Sequence, residues 1–263
     1  MKDRADERVV TAGLADSCKK AQALIMAGLV YAGGQKVEKA GQLLDVELDL
    51  TLKKTLPFVS RGGLKLDEAL ETFDLTVEGK TAADIGASTG GFTDCLLQRG
   101  AARVYAVDVD TRQLDRTLRQ DPRVALVEKN ARYLEKEDFP DFIDLVTIDL
   151  SFISVLKVLP AVHNIVNDGI VVSLIKPQFE VARNKVGKKG IVRDRALHEQ
   201  VLLFIAREAL AIGFSFVDCM KPSVRGQKGN QEYFFFWKKK DKEEKPFGVF
   251  FDIIKEVIWD EKY

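Results

Sequence analysis

Thr81-Ala82-Ala83-Asp84-Ile85-Gly86-Ala87-Ser88-Thr89-Gly90-Gly91-Phe92 joins a short apolar run closed by an acid to a loop of small residues and the opening of a helical pattern. It reads as a strand, a tight glycine turn and a helix start. Glycine lets a ligand approach the backbone, and the first turn of a helix presents N–H groups with no partner inside the helix. One strand further on, the run Ala102 to Val107 ends at Asp108. An acid about 20 residues past a glycine loop is spaced to grip ribose hydroxyls. A dinucleotide fingerprint starting at Gly86 needs glycine at position 88, where Ser88 stands. The Asp84 to Gly86 pattern suits S-adenosylmethionine (SAM) better, because its amino-acid end needs both an acid and backbone partners. The candidate cofactor contacts are therefore Asp84, Gly86, Ala87, Ser88, Thr89, Gly90, Gly91, Phe92 and Asp108, with Asn130, after the third strand, on the adenine side.

From residue 81 onward strands and helices alternate. Strands are expected at 81–86, 102–108, 123–128, 143–149, 169–176, 214–221 and 232–238, and helices at 91–99, 112–119, 153–166 and 195–212. This alternation gives an α/β, Rossmann-like fold whose seven-stranded sheet is mostly parallel, with helices on both faces. The last two strands follow each other without a helix, which predicts an antiparallel edge, as in SAM-dependent methyltransferases. Ligands of such sheets bind beyond the strand C-termini. There the fourth strand delivers Asp149 and the fifth delivers Lys176. Glu232 opens the antiparallel strand at the same end.

Two acids and a lysine converging beside a SAM loop fit one chemistry. A ribose 2′-hydroxyl is a poor acid and must lose its proton as it attacks the methyl group. An amine in a partly dry pocket beside a second cation becomes a proton acceptor. Lys176 is the candidate base and Lys65 the second cation, although a lysine off the apolar face of its helix is ordinarily just solvated. Asp149 would hold Lys176 and the hydroxyl in line, and Glu232 would orient Lys65 or the ribose. In-line geometry is the larger catalytic effect, because the sulfonium is already reactive.

The composition is permissive and nearly neutral. Apolar residues make up 46%, and 40 Lys+Arg balance 40 Asp+Glu, so any nucleic-acid binding must use local patches. Cys18, Cys95 and Cys219 are too dispersed for a zinc site or a disulfide framework, and no metal site is expected. The N-terminus has no apolar core, and no apolar run reaches membrane length. A cytoplasmic protein with no membrane partner is expected.

Residues 3–12 suit a short helix. Asp16-Ser17 cap a second helix through Ala27, and Leu29 to Val37 read as a tight hairpin. Lys19 and Lys20 open the second helix, where they form either a solvated face or a phosphate-facing patch. The run GLADSCKKAQALIMAGLVYAGGQKVEKAG resembles the αL RNA-binding module named after small-subunit ribosomal protein S-four, with Cys18 where that module usually has arginine. The resemblance implies RNA contacts at Lys19, Lys20 and Lys36.

SRGGLKL, DIGASTGGFTDCLL, AVDVD, DLSFIS, LIKPQFE and GNQEYFF, in this order and spacing, resemble the TlyA-type (hemolysin A) family of FtsJ-like ribosomal RNA 2′-O-methyltransferases. That resemblance implies a catalytic Lys-Asp-Lys-Glu set at Lys65, Asp149, Lys176 and Glu232, SAM as cofactor, and methylation of a cytidine ribose in ribosomal RNA or ribosomal subunits. Residues 176–195 carry seven Lys/Arg against two acids and read as a long mobile loop beside the site. Arg183, Lys185, Lys188, Lys189 and Arg193 there, with Arg61 and Arg225 elsewhere, are candidate RNA contacts. The expected domains are an S-four-type RNA-binding domain at 1–56, a linker at 57–63, the methyltransferase at 64–240 and a helical tail at 241–263. Three other readings compete: a non-catalytic RNA-binding or assembly factor, a membrane-active hemolysin, and a small-molecule methyltransferase. The complete set of four site residues speaks against the first, the missing spanning segment against the second, and the N-terminal module with the basic loop against the third.

Overall fold

The computed structural model describes residues 2–26, 28–53, 57–239 and 247–259. The chain divides into two compact units, Met1–Leu56 and Pro57–Tyr263. In the first, β1 (Lys2–Arg4) leads into α1 (Ala5–Thr11) and α2 (Cys18–Met26), followed by β2 (Val30–Ala32), β3 (Gln35–Lys36), β4 (Leu43–Asp45) and β5 (Leu50–Leu52). The first helix starts later than its periodicity predicts, because Lys2 to Arg4 pair with β4 instead. The Ser17 hydroxyl accepts from the Lys20 amide at 3.3 Å and caps α2. The hairpin closes through Gly33-Gly34, with Tyr31 opposite Lys36. Val9, Ala21, Ile25, Val30 and Val37 form a small core of this unit's own.

The second unit opens with α3 (Arg61–Thr72). Then come β6 (Thr81–Ile85), α4 (Gly91–Gln98), β7 (Arg103–Asp108), α5 (Arg116–Arg119), β8 (Val124–Glu128), β9 (Ile143–Ile148), α6 (Leu159–Ile165), β10 (Val166–Ile175), α7 (Pro177–Glu180), α8 (Arg195–Ile212), β11 (Phe214–Met220), β12 (Tyr233–Lys239) and α9 (Phe247–Trp259). The Ser60 hydroxyl accepts from the Gly62 amide at 3.3 Å and starts α3 at Arg61. Arg61 to Gly63, expected as linker, are therefore helix. The helix expected at 112–119 is interrupted, because Asp115 accepts from the Thr117 amide and begins α5 afresh. In the tail, α9 spans Phe247–Trp259. Most of the charged run that precedes it, from residue 240, lies outside the described residues, as do the chain's last four.

The seven strands run in the order β11-β12-β10-β9-β6-β7-β8. β10, β9, β6, β7 and β8 are parallel, and β12 is antiparallel to both its neighbours. The antiparallel strand is thus internal, and the edge belongs to β11. Phe234, Phe235 and Trp237 are fully buried, and a strand apolar on both faces needs a neighbour on each side. One face of the sheet packs Ala83, Ile85 and Val146 under α6, α8 and α9. The other packs Ala82, Leu145 and Phe234 under α3 and α4. The strand order reverses between β6 and β9, which opens a crevice beyond their C-terminal ends.

Candidate active site

Gly86, directly after β6, stands at that crevice. Its φ is +89°, and a Cβ there would lie 2.5 Å from the Asp149 carbonyl oxygen, so only glycine lets the loop pass the end of β9. The Gly86 and Ala87 amides both donate to the Val107 carbonyl, at 2.8 and 3.0 Å. The Ser88 amide donates to Asp108 Oδ2 at 2.9 Å, and the Asp110 amide donates to Oδ1 at 3.1 Å. The acid at the end of β7 therefore ties down the glycine loop, and α4 starts at Gly91 with its first amides facing the loop.

Asp84 behaves differently from its expected role as a direct ligand contact. It points into the layer under α4 and is fully buried. Its oxygens accept from the Thr93 hydroxyl at 2.7 Å and the Thr147 hydroxyl at 3.2 Å. Burial pushes its carboxyl up to about 7, with the Thr93 bond opposing and the charge of Asp149 adding. The cause is strand alternation: Ile85 takes the other face of β6, so Asp84 shares a face with Ala82. Asp84 braces strand, helix and loop from below. Gly90 likewise packs on Leu114 and Leu118 instead of facing the crevice.

Four charged side chains from separate segments line one cleft of about 390 Å³ with the loop. Lys65, on the inner side of α3, is 8% exposed, and its Nζ donates to Glu232 Oε2 at 2.6 Å. Glu232 is itself 3% exposed. Lys176 Nζ lies 2.5 Å from Asp149 Oδ1 and donates to the Ser151 hydroxyl at 3.2 Å. Gln178 Nε2 donates to the remaining Glu232 oxygen at 3.4 Å. Gly226 lies against the Glu232 carboxylate, where any Cβ would collide with it. Ala87, Thr89, Gly91, Phe92 and Arg61 also line this cleft.

A second lobe of about 380 Å³ shares Gly86, Ser88, Asp149, Ser151 and Phe152 with the first, and adds Asp108 and Asn130. The Asn130 side-chain oxygen accepts from the Arg132 amide at 3.1 Å. A bilobed crevice with an amide-rich loop between its halves, and an acid in the far half, fits an elongated nucleoside carrying an amino-acid arm. Among the described residues no His/Cys/Asp/Glu group is arranged to hold a metal ion, and no helix is long and apolar enough to cross a membrane.

The expected RNA contacts fall in several places. In the first unit Lys19, Lys20 and Lys36 are exposed. Lys20 pairs with Asp16 at 3.0 Å and Lys36 with Glu38 at 3.8 Å. In the second unit Arg183, Lys185, Lys188 and Lys189 are exposed on two 3-10 turns. Their segment is pinned, not a plain loop: Asn230 Nδ2 donates to the Gly190 carbonyl at 2.9 Å and its Oδ1 accepts from the Val192 amide at 3.2 Å. Arg193 and Arg225 line a different cleft.

Phe152 was not legible as a site residue. It is 90% exposed at φ +66°, lines both lobes, and sets its ring 4.9 Å from that of Phe179. The positive φ, which a motif does not carry, is the feature that marks it. Gln178 and Ser151 also line the cleft, and in the sequence only their places in LIKPQFE and DLSFIS mark them.

Residues 58–239 match the model of the FtsJ-like methyltransferases. The chain is 43% identical over 237 residues to the 16S/23S rRNA (cytidine-2′-O)-methyltransferase TlyA of Mycobacterium tuberculosis, covering 89% of this chain and 88% of that one. It is 44% identical over 234 residues to Hemolysin A of Brachyspira hyodysenteriae, covering 88% of this chain and 97% of the relative. A solved structure from Streptococcus thermophilus, described as a hemolysin, superposes with a TM-score of 0.73 at 41% identity, over 97% of this chain and 95% of that one.

Proposed function

The chain belongs to the FtsJ-like methyltransferase family, and from that premise we propose that it transfers the methyl group of SAM to the 2′-oxygen of a cytidine in ribosomal RNA. The observation that carries the reading is the meeting of two lysine–carboxylate pairs, Lys65–Glu232 and Lys176–Asp149, beside the Gly86–Gly91 loop. The substrate class is supported by the M. tuberculosis relative, whose name specifies that reaction.

When bound, SAM supplies an electrophilic methyl group on a sulfonium. Asp108 in the far lobe, with the Gly91 and Phe92 amides at the open start of α4, would hold such a cofactor. In its neutral amine form Lys176 Nζ takes the proton of the attacking hydroxyl, and Asp149 stabilises the ammonium that forms. Lys65 and Glu232, locked to each other and to Gln178, form a rigid wall that orients the ribose. Most of the acceleration on this reading is alignment, with proton removal adding on the order of 10²–10⁴. The exposed ring of Phe152 offers the target base a stacking surface beside the reacting amine. The first unit and the Arg183 to Lys189 turns supply phosphate contacts. On this reading the protein works in the cytoplasm.

The test is transfer of labelled methyl from SAM to unmodified ribosomes, separated subunits and bare RNA, with the product nucleotide mapped. Lys176→Ala is expected to abolish transfer while keeping SAM affinity and the folded spectrum. Normal turnover in that variant would remove Lys176 as the base. Label on a nucleobase or on a small molecule would overturn the 2′-O-methylation reading.

A further inference from the structure

Beyond the ends of β9 and β10 the chain continues as two segments that meet four times. Residues 150–154 form no strand or helix, and residues 177–180 form the single turn α7. Asp149 pairs with Lys176 at 2.5 Å, the Ser151 hydroxyl accepts from Lys176 Nζ at 3.2 Å, and the Phe152 and Phe179 rings stand 4.9 Å apart. The fourth contact closes the series: Glu180 Oε1 accepts from the Val155 amide at 2.9 Å. The Ser154 hydroxyl also bonds to this carboxyl, and its oxygen accepts from the Leu156 amide at 3.2 Å. One side chain thus takes both polar groups at the start of the 3-10 turn Val155–Lys157. Burial pushes the Glu180 carboxyl up, opposed by its bonds to Ser154 and Val155. The Val155 side chain is 3% exposed and belongs to the larger core, so the latch point does not shift easily.

Glu180 lines neither lobe of the crevice, but the segment it holds does. Asp149, Ser151 and Phe152 line both lobes, and Leu150 and Ile153 line the far one. At one end this partition is tied to the sheet, where the Asp149 amide donates to the Ile85 carbonyl at 2.9 Å. At the other end Glu180 ties it to α7, whose turn is closed by the Phe179 amide on the Lys176 carbonyl at 2.9 Å. Between the two ties stands Phe152 at φ +66°, a conformation that persists only where its surroundings over-determine it. We propose that Glu180 is a positioning residue for methyl transfer: acting through Ser154 and Val155, it latches the 149–155 partition to the Lys176–Phe179 turn and fixes Lys176, Asp149 and the Phe152 ring in one arrangement. The inference rests on the methyl-transfer reading above and deepens it. An aligned reaction is sensitive to such a latch, because displacing a reacting group by about 1 Å costs on the order of 10² in rate. The Gly86–Gly91 loop is held separately, by the Val107 carbonyl and Asp108, so cofactor affinity depends on the latch far less than turnover does.

The test compares the full chain with Glu180→Met, which keeps the side-chain length without an acceptor, and with Glu180→Gln, which keeps an acceptor oxygen for the Val155 amide. Circular dichroism and melting confirm that the variants fold, and Glu180→Ala replaces the methionine variant if that one does not. Methyl transfer to ribosomal RNA gives kcat and KM, calorimetry gives SAM affinity, and hydrogen–deuterium exchange reads the amides of residues 150–156. Glu180→Met is expected to lower kcat on the order of 10–100-fold, with a smaller rise in KM for RNA and little change in SAM affinity. Exchange at 150–156 is expected to quicken while β9 and β10 keep their protection. Glu180→Gln is expected to restore most of the turnover and the protection. Unchanged kcat in folded Glu180→Met overturns the proposal even if the melting temperature falls, because the carboxylate then serves only the fold. A loss of kcat that glutamine does not restore overturns it as well. If the wild type methylates no ribosomal RNA, the methylation reading falls instead. Exchange then decides the latch, and unchanged exchange at 150–156 in Glu180→Met overturns it.

Discussion

Lys65 and Glu232 lie 167 positions apart in the chain and meet at 2.6 Å, both nearly closed to solvent. A buried pair of this kind is costly to break on one side, because the survivor keeps its charge without a partner. Lys65→Met alone is expected to cost about 3–5 kcal/mol of unfolding free energy, and Glu232→Gln a similar amount. The double change Lys65→Met/Glu232→Leu is expected to recover most of that loss in urea denaturation while remaining inactive in methyl transfer. Stability and turnover should thus separate cleanly at this pair.

Gly86 tests the loop. Alanine there would hold a positive φ and bring its Cβ against the Asp149 carbonyl. Gly86→Ala is expected to lose about 1–3 kcal/mol of stability. It is also expected to weaken SAM binding by more than tenfold in calorimetry, since relief of the clash must move either the loop or the end of β9.

Asp84 gives a pH dependence with a definite sign. Burial raises its carboxyl from an ordinary 3.8 to about 7, so the folded chain holds that proton more tightly than the unfolded one. Its contribution is full below about pH 4 and is lost as pH rises through about 7. Asp84→Asn keeps an acceptor and the shape but does not titrate. The stability of wild type minus that of the variant is expected to fall by on the order of 3–4 kcal/mol between about pH 4 and pH 8. A flat difference across that range would mean that the acid is already compensated.

Phe152 sets function against stability. Glycine would relieve its φ of +66° and remove an exposed ring. Phe152→Gly is expected to stabilise the fold by about 1 kcal/mol. It is also expected to raise KM for the RNA substrate while leaving SAM affinity unchanged.

The succession of strands along the chain and the position of the loop are legible because apolar runs, glycines and terminal acids repeat with the period of an α/β sheet. Lys176 and Asp149 followed from that, each being the residue after a buried strand. Lys65 was harder: helical periodicity puts it off the apolar face, and its burial depends on Glu232 arriving from 167 positions away. Asp84 turns into the layer under α4 because strand alternation, not closeness to the glycine loop, decides where a side chain points. The internal position of β12 was missed because adjacency in sequence does not say which of two strands takes the edge. Phe152 depends on a backbone angle that residue type does not encode.

Glu232 lines the methyl-transfer cleft and Tyr233 lines the cleft that carries Arg193 and Arg225, so the connection between β11 and β12 is intolerant of changed length. Adding or deleting one residue between Gly229 and Tyr233 would slide a phenol into the methyl-transfer cleft and a carboxylate among the arginines. Both cavities would be spoiled by one codon.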